Sequence, residues 1–260
     1  MVMSGGAEVM VLDAGDPVAV AAVDAIHAGD VVRLRQLLAD HPGLATARLG
    51  DYDGRPDGGV SRTLLHVVAD WPGHYPNGAQ SVAALVDAGA DVDARFTGPH
   101  QETPLHWAAS NDDVAVLDAL LDAGADIDAP GAVIGGGTPL ADARGFGQWR
   151  AARRLVERGA RVTCQDAATL GMIDRLKAFF ADAGAEPPEP AEVNRAFWGA
   201  CHGGRQDCAA YLLGRGAEIN WVPPWEDHTP LDVAVRSGSD GVVAWLRDRG
   251  GRHFAELKAG

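Results

Sequence analysis

The chain contains nine histidines and 36 carboxylates, the residue types that acid–base catalysis and metal binding require. An imidazole beside a carboxylate transfers protons near neutral pH, and the two groups together also bind zinc. If the fold placed them around one groove, His74, His100, Asp142 and His202 would be the best candidates for such chemistry. Their spacing along the chain, however, matches no catalytic or metal-binding motif.

The motifs that define particular reaction classes do not occur in this sequence. It has no H-E-x-x-H, no G-x-S-x-G and no phosphate-binding loop, since Gly135–Gly137 are not followed by Lys and then Ser or Thr. The three cysteines, Cys164, Cys201 and Cys208, are odd in number and lack C-x-x-C spacing. We therefore predict no catalytic residue, no metal site, no cofactor and no disulfide framework.

Two repeated phrases indicate the elements that must position these residues. One is a Gly-Ala turn after an apolar run, and its first three glycines are 35 residues apart. In the other, Pro follows a capping Thr at the first helical position, where its missing N–H costs nothing. Glycine after the second helix supplies the positive φ that ends it. The turns are Asp87–Asp93, Asp122–Asp128, Glu157–Thr163 and Gly214–Asn220, and the Thr-led phrases are Thr63–Ala69, Thr103–Ala109, Thr138–Ala143 and Thr229–Ala234.

Together these phrases resemble the ankyrin repeat, whose T-P-L-H-x-A motif recurs about every 33 residues. The resemblance implies an all-α repeat solenoid of helix-turn-helix units with β-hairpin or finger loops, about seven repeats in this chain. Phrases such as Asp70–His74 and Arg195–Gly204 are also similar to a group of bacterial ankyrin-repeat proteins, a similarity that implies no activity. In the family the motif histidine bonds the neighbouring turn, which makes His66 and His106 scaffold residues. Asp232 replaces it in the last repeat and is expected to bond backbone N–H groups.

We expect a single solenoid over residues 17–254, a flexible leader over residues 1–16 and a tail over residues 255–260. The leader has acids and glycines but no basic residue, so it lacks the charged start of a secretory signal. No apolar run approaches the roughly 18 residues that span a bilayer. These features predict a cytoplasmic protein, and we expect a monomer.

The charge of the chain narrows the classes of partner. Thirty-six acids against 22 bases give a formal net charge of −14, and the only lysines are Lys177 and Lys258. A basic face that would neutralise phosphates is missing, so we expect neither nucleic acid nor membrane as a partner. The acidity either keeps an elongated protein soluble or attracts a basic partner, and the sequence leaves both interpretations open.

Function is expected where the repeat is irregular. The second repeat is five residues longer than the next two, and the additional residues fall in 70–78. This loop carries Trp71, His74 and Tyr75 among prolines and glycines, too many aromatic residues for a simple connection. It is either a binding loop or a segment in which Trp71 and Tyr75 fold back over the first repeat.

Ankyrin proteins bind through finger tips and the exposed positions of the inner helices. Carried over residue by residue, the resemblance implies a binding face that combines exposed aromatic and polar side chains, a composition typical of interface hot spots. Trp107 has an alternative role in completing the core between repeats. The predicted partner- or ligand-binding residues are Arg62, Trp71, His74, Tyr75, Phe96, His100, Glu102, Trp107, Asn111, Asp142, Phe146, His202, Trp225 and His228.

Two functional hypotheses follow. The first is a protein–protein interaction module that captures a protein or peptide in a concave groove. The alternative is a small-molecule-binding protein or cofactor-independent enzyme with a His/Asp/Trp pocket in repeats 2–4. The second hypothesis requires an enclosed pocket in which His74 or His100 lies within hydrogen-bonding distance of an acid.

Overall fold

A computed structural model describes residues 10–50, 59–181 and 187–259 of the chain. The chain forms two compact units, one extending to Ala160 and the other beginning at Arg161. In each unit, successive helix pairs stack in two layers, which confirms the predicted helical repeat solenoid. None of the described helices is long and apolar enough to cross a membrane.

The first unit contains four helix pairs. The first helix of each pair contacts the first helix of the next pair, and the second helices do the same, so that two layers form. Alanines and leucines at these contacts are buried and allow close packing. The helices are α1 (Pro17–Ala28), α2 (Val31–Asp40), α3 (Leu64–Ala69), α4 (Gly78–Asp87), α5 (Pro104–Ser110), α6 (Val114–Asp122), α7 (Pro139–Gly145) and α8 (Trp149–Glu157).

Local signals fix where α1 begins and ends. The Asp16 carboxylate accepts a hydrogen bond of 2.8 Å from the Val18 N–H and caps the start of the helix. Gly29 ends it in the left-handed region, with φ of 66°. A side chain at Gly29 would overlap Pro76, so the end of α1 packs directly on the loop of the next repeat.

Residues outside the repeat pattern form a small sheet that the all-α prediction did not include. Strands β1 (Val11–Leu12), β2 (Arg48–Gly50) and β3 (Ser61–Arg62) lie in the order β1-β2-β3, with β2 parallel to β1 and antiparallel to β3. Residues 11 and 12 of the predicted leader form β1 and pair with β2, and Asp16 caps α1. Residues 1–9 of the predicted leader lie outside the described residues.

Arg48 on β2 joins this sheet to the first finger. Its Nε donates to Ser61 Oγ at 2.7 Å, and one terminal nitrogen donates to the Ser61 carbonyl at 3.0 Å. The same nitrogen lies 2.7 Å from both the Arg95 carbonyl and Thr97 Oγ1. Arg48 therefore holds the residues on both sides of Phe96.

The fingers are closed by hydrogen bonds without regular strands. The Phe96 N–H donates to the Glu102 carbonyl at 2.8 Å, and the Gly131 N–H donates to the Gly136 carbonyl at 3.0 Å. The Arg95 guanidinium donates to the carbonyl of Pro130 in the following finger. Each of these two fingers is thus held by an arginine from the segment that precedes it.

The second unit contains three helix pairs and a short final helix. Glycine permits the closest helix contact in this unit, because a side chain at Gly203 would overlap the carbonyl of Thr169. The bulkiest fully buried side chain is Phe197. The helices are α9 (Cys164–Leu170), α10 (Ile173–Ala178), α11 (Pro190–His202), α12 (Gln206–Leu213), α13 (Pro230–Arg236), α14 (Asp240–Arg247) and α15 (Phe254–Lys258).

The C-terminal segment folds onto the last repeat instead of ending as a tail. Asp232 Oδ2 accepts hydrogen bonds from the backbone N–H groups of Thr229 and Phe254, both at 2.9 Å, and Oδ1 lies 2.6 Å from His253 Nδ1. This confirms that Asp232 bonds backbone N–H groups. Residues 255–258 of the predicted tail belong to α15, and Asp232 anchors the first residue of that helix, Phe254.

Candidate functional site

The additional loop at residues 70–78 packs against the first repeat through one aromatic residue. The rings of Tyr75 and His27 are stacked, with centroids 4.3 Å apart and planes 23° apart. Burial raises the pKa of Tyr75, and the charge of Asp70 adds to this effect. Trp71 is 78% exposed. The fold-back interpretation is confirmed for Tyr75, whereas Trp71 remains accessible to a partner.

His74 and Asn111 fix the shape of this loop. The His74 backbone N–H donates to Asp113 Oδ2 at 2.8 Å, and its Nε2 lies 2.9 Å from the Asn111 carbonyl. The Asn111 amide donates to the Ala69 carbonyl at 2.7 Å. Since a carbonyl only accepts, His74 Nε2 carries the proton. Both side chains therefore have structural bonds between the second and third repeats.

Arg62, Phe96 and Trp107 line one open cleft, which we call the aromatic groove. It has a volume of about 460 Å³ and lies among α1, the small sheet, the first finger and α5. The walls are mainly apolar, and its charged residues are Asp24 and Arg62. Besides Arg62, Phe96 and Trp107, the described lining comprises Ala14, Ala19, Val20, Val23, Asp24, Leu49, Gly50, Val60 and Ser61.

The aromatic wall of the groove is a packed set of rings. The ring centroids of Phe96 and Trp107 are 5.5 Å apart, and those of Trp107 and His66 are 4.9 Å apart in an edge-to-face arrangement. Trp107 is half-buried, so one part completes the core between repeats and another part faces the groove. The packing interpretation of Trp107 is therefore confirmed, and its role in binding stays a prediction.

His66 and His106 are the scaffold residues that the resemblance implied. In each case Nδ1 accepts from the backbone N–H of the capping Thr, Thr63 or Thr103, and Nε2 faces a carbonyl of the next repeat. That carbonyl is Glu102 at 3.1 Å for His66, and Gly137 at 3.4 Å for His106. Burial lowers the pKa of His66 to about 3 and that of His106 to about 4, so both rings are neutral near pH 7.

Replacing His66 by Ala should lower the free energy of unfolding by about 2 kcal/mol at pH 7, because the Thr63 N–H loses its buried acceptor and the Glu102 carbonyl loses one of its two donors. The parent should also lose stability as the pH falls below 6.5, the ordinary histidine value, since only the unfolded chain then binds the proton. Urea unfolding at pH 7 and pH 5 measures both effects. The control is His100→Ala at an exposed residue. Equal losses in the two variants would contradict the scaffold role.

Glu102 and Asp142 are buried, so the prediction that they are exposed binding residues is wrong. Glu102 is 8% exposed and Asp142 is fully buried. Burial raises the pKa of the Glu102 carboxyl. Asp142 Oδ1 accepts from the Ile134 N–H at 3.0 Å, while Oδ2 has no hydrogen-bond partner among the described residues. Burial, reinforced by the charge of Glu102, raises the pKa of Asp142 to about 7.

The other predicted residues do not join the aromatic groove. His100 and Phe146 are exposed elsewhere in the first unit. In the second unit, Trp225 is 52% exposed and packs edge-to-face on Trp198, with centroids 6.3 Å apart. His202 Nδ1 lies 3.1 Å from Ser237 Oγ. His228 Nδ1 lies 3.0 Å from Glu226 Oε2, an ion-pair distance without hydrogen-bond alignment.

The aromatic groove is not the pocket that the second hypothesis requires. The aromatic groove is partly open and contains neither His74 nor His100. His74 Nδ1 is 4.0 Å from Asp113 Oδ1, beyond hydrogen-bonding distance. No group of three or more His, Cys, Asp or Glu residues in the described part could hold a metal ion. The three cysteines are buried and unpaired, and burial raises the pKa of each thiol.

The family of this chain is shown by a match to a known family model. A family model described as ankyrin repeats in three copies matches residues 24–166, more than half of the chain. The chain belongs to the ankyrin-repeat family. A comparison with curated proteins gives no match. Ankyrin repeats are generally protein–protein interaction modules. The matched range covers three copies, and the count of about seven repeats stays a prediction.

In this ankyrin-repeat protein, sequence reasoning missed the part of the groove that α1 and the sheet contribute. Val20 is 41% exposed, whereas Ala19, Ala22 and Ile26 are buried on another face of α1. An apolar residue outside the buried face of an amphipathic helix was the signal that could have identified this wall. Arg48 offered no comparable signal, because its partners lie 13 to 49 residues away.

Proposed function

We propose that this ankyrin-repeat protein is an interaction module that docks a segment of a protein partner in the aromatic groove. The observation that carries the proposal is the convergence of Arg62, Phe96 and Trp107 on one accessible, mainly apolar cleft. Aromatic and arginine side chains are the residue types over-represented among interface hot spots. The chain also belongs to a family whose repeats are generally protein–protein interaction modules.

The construction of the groove supports tight binding. Arg48 holds both neighbours of Phe96, and the ring of Trp107 packs on that of His66. A surface whose side chains are already fixed loses less conformational entropy when a partner binds. The groove is therefore preorganised for an apolar anchor of the partner.

The test uses the full chain and a displayed library of random linear peptides, from which a binding peptide is selected and titrated. Phe96→Ala should weaken binding of that peptide by about tenfold or more, as expected for a hot-spot residue. Val20→Glu should weaken binding to a similar extent by placing a charge in the apolar wall. Val20 is partly exposed, so this variant should remain folded.

Trp225→Ala is the matched control, since Trp225 is an exposed aromatic residue of the second unit. It should leave the affinity unchanged. Loss of binding in Trp225→Ala with full binding in both groove variants would overturn the proposal. Circular dichroism of each variant checks that its fold is retained.

A further inference from the structure

Three features of the aromatic groove bear on the chemistry of its occupant: its charges, its dimensions and the spacing of residues on α1. Arg62 forms an ion pair with Asp70. Asp24 is exposed, lines the groove and has no partner among the described residues. The positive charge of Arg48, close to the groove, is engaged by four oxygen acceptors. Among the described residues, the groove surface thus presents one carboxylate without an ion-pair partner, in a chain of net charge −14.

The size of the groove favours side chains over a whole helix. An α-helix with its side chains is about 10 Å wide, so a single turn occupies roughly 400 Å³. The groove, at about 460 Å³, is comparable in volume to one such turn. An extended segment can instead insert alternate side chains into this space, while its remaining side chains stay outside the groove.

The spacing on α1 sets the distance between the apolar and the charged subsite. Val20 and Asp24 are four residues apart, so they lie on one face of the helix with Cβ atoms roughly 5–6 Å apart. In an extended chain, residues i and i+2 project to the same side and are roughly 6.6 Å apart. The two spacings match.

Resting on the proposed function, we infer that the partner segment is an extended peptide with a large apolar residue and a Lys or Arg two positions from it. The apolar residue enters the cleft between Val20 and Phe96, and the cation pairs with Asp24. This places the specificity of the module in α1, and it assigns a local role to part of the acidity of the chain.

The experiment begins with the same peptide selection against the full chain. Selected peptides should share an apolar-x-basic or basic-x-apolar pattern. Asp24→Asn should weaken binding of such a peptide by about fivefold, as expected for a partly exposed ion pair. The same substitution should have no effect on a peptide whose basic residue is replaced by Gln. This double comparison isolates the pairing of the two groups.

Asp40→Asn is the control, because Asp40 is an exposed acid on α2 and its loss changes the net charge equally. Equal weakening by Asp40→Asn and Asp24→Asn would overturn the inference in favour of a general charge effect. Selected peptides without the basic residue would overturn it as well. If Phe96→Ala abolishes binding while Asp24→Asn does not, docking stands and only the inference fails. If neither changes binding, the proposed function fails.

Discussion

Replacing Asp142 by Asn should make the protein more stable at pH 8, although a buried carboxylate is removed. The pKa of Asp142 is raised from 3.8 to about 7, mainly by burial. A shift of about three units corresponds to roughly 4 kcal/mol against the charged form in the folded protein. The amide retains an oxygen that accepts from the Ile134 N–H, but its buried NH₂ group costs about 1–3 kcal/mol if unpaired. We therefore expect a net gain of about 1–3 kcal/mol.

The gain should depend on pH in a defined direction. Below pH 3.8 both states of the parent hold the proton, so Asp142 carries no penalty. As the pH rises from about 4 to about 7, the unfolded chain releases the proton before the folded chain does, and the stability of the parent falls. Above about pH 7 the penalty is complete and constant. The stability difference between variant and parent should thus grow from pH 4 to pH 8.

Urea unfolding of parent and variant at pH 4.5, 6 and 8 measures this difference. The effect of His66 and His106 titration on stability is the same in both proteins, so it cancels in the difference. Asp113→Asn is the matched control. Asp113 is also buried, but its two oxygens accept from the N–H groups of His74 and Val116. The Asp113→Asn substitution should destabilise the protein at pH 8 by about 1–2 kcal/mol. A difference for Asp142→Asn that is constant with pH would contradict the role assigned to burial.

Replacing Arg48 by Ala should lower the free energy of unfolding by about 3 kcal/mol or more. Four acceptors on the sheet and finger lose a donor, and hydrogen bonds to charged groups contribute about 1.5–3 kcal/mol each. Non-additivity within one group keeps the total below the sum. Arg48→Lys retains the charge but not the planar guanidinium with its several N–H donors. The free energy of unfolding should therefore still fall by about 2 kcal/mol.

Urea unfolding measures the loss, and amide hydrogen exchange localises it. The N–H groups of Ser61 and Thr97 bond each other's carbonyls at 2.9 Å, and their protection should fall first in the Lys variant. Arg33→Ala, at an exposed arginine of α2, should change stability by less than about 0.5 kcal/mol. If Arg48→Lys were as stable as the parent, the positioning role of Arg48 would be wrong.

The burial of Asp142 does not follow from the repeat motif. Asp142 stands at the motif position that Trp107 occupies one repeat earlier, and the sequence therefore predicted an exposed residue. It is buried because Ile134 of the preceding finger bonds its carboxylate. The conformation of that finger depends on Gly135 and Gly136, both with positive φ. A repeat motif describes an average finger and cannot describe an unusual one.

The sequence by itself determined the helical repeat, the Thr-led helix starts and the scaffold role of His66 and His106. Each depends on residues within one repeat or between adjacent repeats at a fixed distance along the chain, so a periodic pattern specifies it. Only the tertiary structure decided that β1 pairs with β2, that Asp142 is buried, and that Val20 and Asp24 complete the groove. These features depend on contacts between segments with no common period, where packing and desolvation, not local preference, set the outcome.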